Sequence, residues 1–438
     1  MSENIQPTDT VEFAENFFAP LNAALDSLTA TRSCNKHTDL DFATEGVLRV
    51  LAQARSGRDF LQQRLGLGSS DWMVSHYFKS LKSSRRGRLL NQLDAELESK
   101  LSGLLATNFA SDEAMAYAAE VFTDYELFAG DGVYLEAAAH DPLKANNKGA
   151  LVKWAAGHFY SLNLKTGSLR HLGAAEPGPF KKKEHDMHFL KRLRPAELRL
   201  GAARGKKVVH IWDRAGIDFR QWFDWKCKGI YMVSQEKTNM KLTVLGENKV
   251  DRSLPCNAGV ISDQLVGSSC GVQLRRIVYR DPVEGTEYCF ITNLGQGIPP
   301  GLVAWLYRRR WDIEKIFDQS KNRLEEKKSW ASSPEARRAQ GLLIAITHNL
   351  MVLLRVGLAR RGELPIDKME AKRRAGRAAL ARKKVRAEKQ EIPFVLQVPQ
   401  KPTQIGAKFY RWLRQVLRRR LAHREAIDLL AQTYMVFS

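Results

Sequence analysis

Apolar residues recur at helical spacing over roughly the first 120 positions. Runs such as FAENFFAPLNAALDSL and GRLLNQLDAELESKLSGLLA, separated by polar breaks, predict an all-α region. From about residue 124 the texture changes to short strand-like runs, YELFAGDGVYLEA, LVKWAAGHFYSLNL and SLRHLGA, divided by the turn signals NNKG and KTG. These predict an antiparallel meander. A helical run around EHDMHFLKRLRPAELRL follows, then a buried strand, VVHIW, ending at Asp213. A helix in DFRQWFDWKCK and a strand in GIYMVSQ complete an α/β core.

Between about 236 and 298 the pattern returns to short strands, KLTVLG, VQLRRIVYR and EYCFITN, with turns at GEN, SSCG and DPVEGT. A β-rich block therefore interrupts the α/β domain. The GIPPG turn then punctuates the start of another helix. RRAQGLLIAITHNLMVLLRVGLARR reads as an apolar core helix, too short and too interrupted for a membrane span. Residues 369–390 form a basic, Ala-rich run, and FYRWLRQVLRRRLAHREAIDLLA closes the chain as a basic amphipathic helix. The expected division is a helical N-terminal DNA-binding region over 1–123 and a core over 124–235. A β-rich insertion over 236–298, a core helix over 299–330 and a basic helical region over 331–438, for DNA contact or dimerisation, complete it.

Charge changes the picture most. The chain has 438 residues, and 69 Lys and Arg against 48 Asp and Glu give a net charge of +21. An excess of that size favours polyanionic partners, nucleic acid first, because neutralising phosphates releases condensed counterions. No apolar run of membrane length, signal core or lipidation box is read, so no membrane partner and a cytoplasmic, nucleoid-associated location are expected. Cys34, Cys227, Cys256, Cys270 and Cys289 are scattered without a CxxC pair, which indicates neither a disulfide framework nor a zinc site. In the N-terminal region, Lys79, Lys82, Arg85, Arg86 and Arg88 lie among Trp72, Tyr77 and Phe78, a mixture suited to DNA backbone contact.

The residues that carry chemistry are acids. Asp131 follows LFAG and precedes Gly132, while Asp213 ends VVHIW and begins DRAG; each reads as a carboxylate at a strand end. Over 307–321, at about 100° per residue, Tyr307, Arg310 and Lys321 fall roughly 20°, 40° and 20° from Glu314, on a single helical stripe. Trp311, Ile313, Ile316 and Phe317 occupy other parts of the circumference. Two strand acids and a helical acid can bind two Mg²⁺ ions about 4 Å apart, as phosphodiester cleavage requires. Oxygen-only donors favour Mg²⁺, with Mn²⁺ as a substitute, over Zn²⁺. His185 and His188 lie at i, i+3 spacing without a third ligand nearby in sequence, and read as surface or packing residues.

The order Asp131, Asp213, Glu314, with Tyr-x2-Arg-x3-Glu-x6-Lys around the last, resembles the DDE transposases of bacterial insertion sequences. The subgroup it resembles is the insertion-sequence-four type with its Tyr-Arg-Glu-Lys signature. The resemblance covers about 124–330. It implies an RNase H-like α/β core interrupted by a β-rich insertion, with helical N- and C-terminal regions. It further implies cut-and-paste movement of DNA: recognition of terminal inverted repeats, metal-dependent nicking to a 3′-OH, a hairpin intermediate, and joining of the ends to target DNA. A homodimer would hold two ends in a synaptic complex. Asp131, Asp213 and Glu314 would hold the metals, and Tyr307, Arg310 and Lys321 the phosphates.

Hairpin-forming relatives are expected to stack a flipped base on an aromatic residue of the insertion, often Trp. No Trp lies between Trp225 and Trp305, which leaves Tyr231, Tyr279, Tyr288 and Phe290, each equally readable as strand core. The competing readings are an RNase H-like nuclease or resolvase, a non-catalytic DNA-binding inhibitor or regulator derived from a transposase, and a basic structural or ribosome-associated protein. All three acids are present, and two basic helical flanks favour end recognition over the nuclease.

Overall fold

The computed structural model describes residues 11–28, 36–54, 56–105, 113–145, 149–153, 155–175, 184–282, 284–323, 327–365, 375–376, 379–380, 383 and 406–435. Most of the basic 369–390 run lies outside the described residues. Six helices come first: α1 (Phe13–Asp26), α2 (Asp39–Leu51), α3 (Gly57–Gly66), α4 (Val74–Leu81), α5 (Ser84–Leu105) and α6 (Glu113–Val121). Next come β1 (Tyr125–Leu135), β2 (Leu143–Ala145), β3 (Leu151–Lys153), β4 (Ala156–Asn163) and β5 (Leu169–Ala174). Helices α7 (Asp186–Arg192) and α8 (Pro195–Leu198) cross to β6 (Lys207–Ile211), and α9 (Phe219–Lys226) crosses to β7 (Ile230–Gln235). Strands β8 (Leu242–Glu247), β9 (Val260–Ser268), β10 (Gln273–Arg280) and β11 (Glu287–Thr292) precede α10 (Pro300–Arg309), α11 (Trp311–Arg323) and α12 (Pro334–Arg360). The last two helices are α13 (Ala407–Arg419) and α14 (His423–Met435).

Nine strands form one mixed sheet in the order β5-β4-β1-β6-β7-β11-β10-β9-β8. β1 is antiparallel to β4 and parallel to β6, and β6 is parallel to β7. This five-strand half, with helical crossovers into β6 and β7, is the RNase H-like α/β arrangement. The β-rich segment is continuous with it: β11 pairs antiparallel with β7, Phe290 opposite Gln235 and Thr292 opposite Val233. The expected insertion thus extends the core sheet instead of forming a layer of its own. Strand β9 escapes the sequence reading because VISDQLVGS carries no clean alternation of apolar and polar positions.

Side-chain alternation assigns the two faces of the sheet. Leu127, Ala129, Val133, Val209 and Ile211 pack into a core shared with the N-terminal helices and with α10–α12. Phe128, Val208 and Trp212 pack instead against Leu190 of α7, Leu198 of α8 and Trp222 of α9. Asp131 and Asp213 have the parity of the first set, so they belong to the face that α11 covers.

The start of α10 is fixed by the β-rich strands. The buried Arg275 on β10 pairs with Asp263 on β9 and donates to the carbonyls of Gly295 (2.9 Å) and Ile298 (2.7 Å). A Cβ at Gly301 would overlap the Cys256 carbonyl, and the Gly301 N–H donates to Asn257 Oδ1 at 2.9 Å. Only glycine permits this close approach.

Helix α12 corrects an expectation. At 27 residues, with a mean hydropathy of 1.9 over its most apolar window, it is long and apolar enough to cross a membrane, but 78% of that window is buried inside the protein. It packs against α2, α5 and β5, and Asn349 on it bonds both the N–H and the carbonyl of Leu169. The C-terminal run is also two helices, not one, because Arg420 takes a left-handed conformation (φ 54°) that ends α13. Both return to α1: the Phe13 N–H donates to the Leu421 carbonyl and its ring meets Trp412 edge-on at 5.2 Å.

Candidate active site

Parallel pairing of β1 with β6 runs through Ala129 opposite Ile211. Asp131 and Asp213 each stand two residues beyond that pair, so the register sets them side by side. Their local settings differ. β1 continues to Leu135 on β4, which makes Asp131 a mid-strand residue and not the strand-end residue expected. β6 does end, at Ile211, and Asp213 turns the chain into a short 3-10 turn over Arg214–Gly216. Asp213 Oδ1 accepts the Ala215 N–H at 2.8 Å, and Ser234 on β7 donates to its carbonyl at 2.9 Å. One oxygen of the Asp213 carboxylate thus caps the turn.

Glycines flank Asp131 for steric reasons. A Cβ at Gly130 would overlap the buried Trp212 indole, and one at Gly132 would sit 2.9 Å from Phe159 and 3.4 Å from Asp186 Oδ1. The Gly132 N–H donates to Asp131 Oδ1 at 2.8 Å and orients the carboxylate.

The third acid comes from α11. Its helical signal runs unbroken through 307–321, yet the hydrogen-bond ladder tightens at Arg310: its N–H bonds to Tyr307 (3.1 Å), and its carbonyl accepts from Ile313 (3.2 Å). Arg310 keeps right-handed dihedrals, so the stripe survives this break between α10 and α11. Ile313, Ile316 and Phe317 are buried, with the Phe317 ring 5.5 Å from that of Tyr160 on β4. That packing holds Glu314 over β1. Arg310 Nη1 lies 2.6 Å from Glu314 Oε1 and 3.9 Å from Asp131 Oδ2, bridging helix and strand. Tyr307 is buried against Phe290 (5.1 Å) and donates to Gln235 Oε1 at 3.4 Å.

Electrostatics ties the acids together. Burial pushes the Asp131 carboxyl up to about 6, and the charges of Asp213 and Glu314 push the same way, against the Gly132 N–H and Arg310. A further acid, absent from the sequence reading, joins them. Burial, then Asp213 and Asp131, raise Asp186 to about 7. Asp186 opens α7 on the opposite face and reaches the site at Gly132, beyond the last β1–β6 pair. The signal in the chain is an acid at the first position of a helix following the meander, flanked by His185 and His188. His185 accepts the Met187 N–H and caps α7, and its ring meets His188 at 6.4 Å.

Carboxylates from two strands and two helices are the donor chemistry of a hard divalent cation. Yet among the described residues no three such side chains are gathered tightly enough to hold a metal. The Arg310 guanidinium accounts for this on one side, since it occupies the space between Asp131 and Glu314. A cation held by those two acids has to displace it. Residue types and electrostatics thus fit a metal, while the spacing between Asp131 and Glu314 fits a guanidinium.

The other expected residues divide. Lys321 continues α11, and its side chain lies outside the described residues. Arg85 and Arg86 are corrected. Arg85 pairs through both Nη atoms with buried Asp39 at 2.6 Å, and Arg86, buried over the Phe42 and Trp72 rings, pairs with Asp39 and donates to the His37 carbonyl. Both anchor α5 to α2. Lys79, Lys82 and Arg88 are exposed. Tyr279 and Phe290 are buried, Tyr288 stacks on Phe290, and Tyr231 meets Tyr125 edge-on, so all four serve the core. An exposed aromatic of the same helix is Trp311, 54% accessible, with Arg310 5.3 Å from its ring.

The sheet thus carries two acids at its β1–β6 tip and a third on the covering helix. Comparison with known proteins gives a narrower placement. Residues 178–350 match the family described as "Transposase DDE domain". The matched stretch spans Asp186, Asp213, Tyr307, Arg310 and Glu314 and begins downstream of Asp131. No curated protein matches the chain. A solved structure of a piggyBac transposase synaptic complex with hairpin DNA is similar at 11% identity, covering 97% of this chain and 82% of that one with a TM-score of 0.35.

Proposed function

We propose that this chain is a metal-dependent, cut-and-paste DNA transposase of the insertion-sequence-four type. The observation that carries the proposal is the shared register of Asp131 and Asp213 beneath Glu314, in a chain whose residues 178–350 match the transposase DDE domain family. Asp131, Asp213 and Glu314 hold the divalent ions, Mg²⁺ or Mn²⁺. Such ions, when bound, supply the charge that activates the attacking oxygen and steadies the leaving one.

The chain's own groups do the rest. Arg310 moves from Glu314 to a DNA phosphate, an exchange of one oxyanion partner for another. Tyr307, its ring fixed by Phe290, presents its hydroxyl to the same backbone, and Lys321 adds a further cation on the stripe. Water attacks one strand at the end of the element and leaves a 3′-OH, which then attacks the opposite strand to close a hairpin. Trp311 offers a π surface beside the acids for a base displaced in that step. Lys79, Lys82 and Arg88 contact the DNA backbone near the terminal inverted repeats. Two copies hold two ends in a synaptic complex, and the work is done in a bacterial cytoplasm, at the nucleoid.

The test uses a plasmid carrying the gene with its flanking DNA, incubated with the protein and Mg²⁺. Excision of the element with hairpin ends, seen as double-length strands on a denaturing gel, supports the proposal. Cleavage confined to branched or nicked DNA points to a nuclease or resolvase, and tight end binding without cleavage in either metal points to a regulator.

A further inference from the structure

Strand β1 does not stop at the acids. It runs past Asp131 to Leu135, which pairs with Ala156 of β4, and the chain between those two residues leaves the main sheet as a separate two-stranded ribbon, β2–β3. At about 3.3 Å per residue the root of the ribbon lies about 13 Å beyond Asp131, at the acid-bearing end of the sheet. That root is anchored. The Glu136 N–H donates to the Lys327 carbonyl at 2.6 Å and its carbonyl accepts from the Ser329 N–H at 2.8 Å. Asp141 pairs with Arg337 on α12 and accepts the Ala138 N–H at 2.7 Å.

Beyond the root the ribbon is exposed on both faces. Leu143 opposite Lys153 and Ala145 opposite Leu151 share one face, and Lys144 and Val152 share the other. Leu143 is 57% and Leu151 66% accessible, and among the described residues neither strand pairs with a third. A two-stranded ribbon is marginal in water by itself, and apolar side chains held out on one mark a surface that a partner covers. Charge selects the partner. Residues 142–155 hold three lysines and no acid, in a chain of net charge +21, so a second copy is repelled and a polyanion is attracted. Shape selects the groove. Two strands about 4.8 Å apart, with their side chains, fit the roughly 12 Å major groove of DNA and not the roughly 6 Å minor groove.

We propose that β2–β3 is a DNA-gripping arm that lies in the major groove of duplex DNA bordering the cleavage position. Leu143 and Leu151 face the base edges, where thymine methyls offer apolar contact, and Lys144 and Lys153 add positive charge beside the phosphates. This rests on the reading of the chain as a DNA transposase and adds to it an element that fixes the duplex next to the acids.

The test compares the full chain as wild type, Leu143→Ser/Leu151→Ser, and the control Leu200→Ser/Leu245→Ser, whose leucines are 54% and 51% accessible elsewhere on the surface. The probe is a labelled duplex taken from the DNA flanking the gene, held in EDTA so that no strand is cut, with dimethyl sulfate reading guanine N7 in the major groove. The ribbon variant should bind at least tenfold more weakly than wild type. At saturation it should lose N7 protection in one patch beside the cleavage position and keep the remaining protections. Its melting temperature should match that of wild type, because both leucines are exposed, and the control should behave as wild type throughout. A ribbon variant with wild-type affinity and the wild-type N7 pattern would overturn the proposal and leave the transposase reading intact. So would one that melts several degrees early, or one whose oligomeric state changes in sedimentation while its DNA binding does not, which would make the ribbon a contact between copies. A wild type that binds no duplex would remove both.

Discussion

Replacing Asp131 by Asn should make the metal-free protein more stable and abolish DNA cleavage. The folded carboxyl titrates near 6 against an ordinary 3.8, with burial the leading cause and Asp213 and Glu314 adding to it. Because the folded value lies above the unfolded one, the native state holds this proton more tightly. The group's contribution is therefore fully favourable below about pH 4 and is lost as pH rises through about 6. A rise of about two units at about 1.4 kcal/mol each costs on the order of 3 kcal/mol at pH 7. Asn keeps an oxygen for the Gly132 N–H and removes the charge. The contact it weakens is the long one to Arg310 at 3.9 Å, and Arg310 retains Glu314 at 2.6 Å. Urea unfolding in EDTA should show Asp131→Asn more stable than wild type by about 2–3 kcal/mol at pH 7, with the gain vanishing towards pH 4. Saturating Mg²⁺ should stabilise wild type and not the variant. A variant destabilised at pH 7, or a gain that does not depend on pH, would refute the reasoning, because either would make Asp131 an ordinary structural acid.

Four further outcomes are expected. Arg86→Ala should destabilise the helical region by about 1–3 kcal/mol in denaturant titrations, since it removes buried hydrogen bonds to Asp39 and to the His37 carbonyl while Arg85 stays on Asp39, whereas neutralising Lys79, Lys82 and Arg88 together should leave stability unchanged and flatten the salt dependence of DNA binding. Gly130→Ala should cost about 1–3 kcal/mol in melting experiments by pressing on the close-packed Trp212, with metal binding weakened as β1 shifts. Trp311→Ala should leave folding and first-strand nicking nearly intact, because the ring is exposed, and reduce hairpin formation on a denaturing gel at least tenfold; an equal loss of both steps would make the ring a general DNA contact.

Much of the site was legible in the chain because helical and strand periodicities place residues without reference to their neighbours. The 307–321 stripe needs only a 3.6-residue repeat, and the Arg310–Glu314 pair is an i, i+4 contact that this repeat creates. The adjacency of Asp131 and Asp213 was suggested by two strand-end signals, but its cause is the parallel register of β1 and β6, which no local pattern encodes. Asp186 was missed for the same reason: its nearness to the other acids depends on where α7 packs against β1, which no local pattern encodes. The basic N-terminal run misled in the opposite direction. Charge composition cannot distinguish an arginine facing solvent from one paired with a buried acid, and Arg85 and Arg86, both on Asp39, proved to be the second kind. Trp311 was grouped with the packing residues of its helix, yet it lies on the exposed arc next to the stripe.

The most direct measurement is strand cleavage of a labelled duplex taken from the DNA flanking the gene, comparing wild type with Glu314→Gln in Mg²⁺ and in EDTA. Wild type should release a 3′-OH end in Mg²⁺ and nothing in EDTA, while Glu314→Gln binds the duplex with near wild-type affinity and cleaves at least a thousandfold more slowly. Cleavage by wild type in EDTA, or by Glu314→Gln at the wild-type rate in Mg²⁺, would contradict the account.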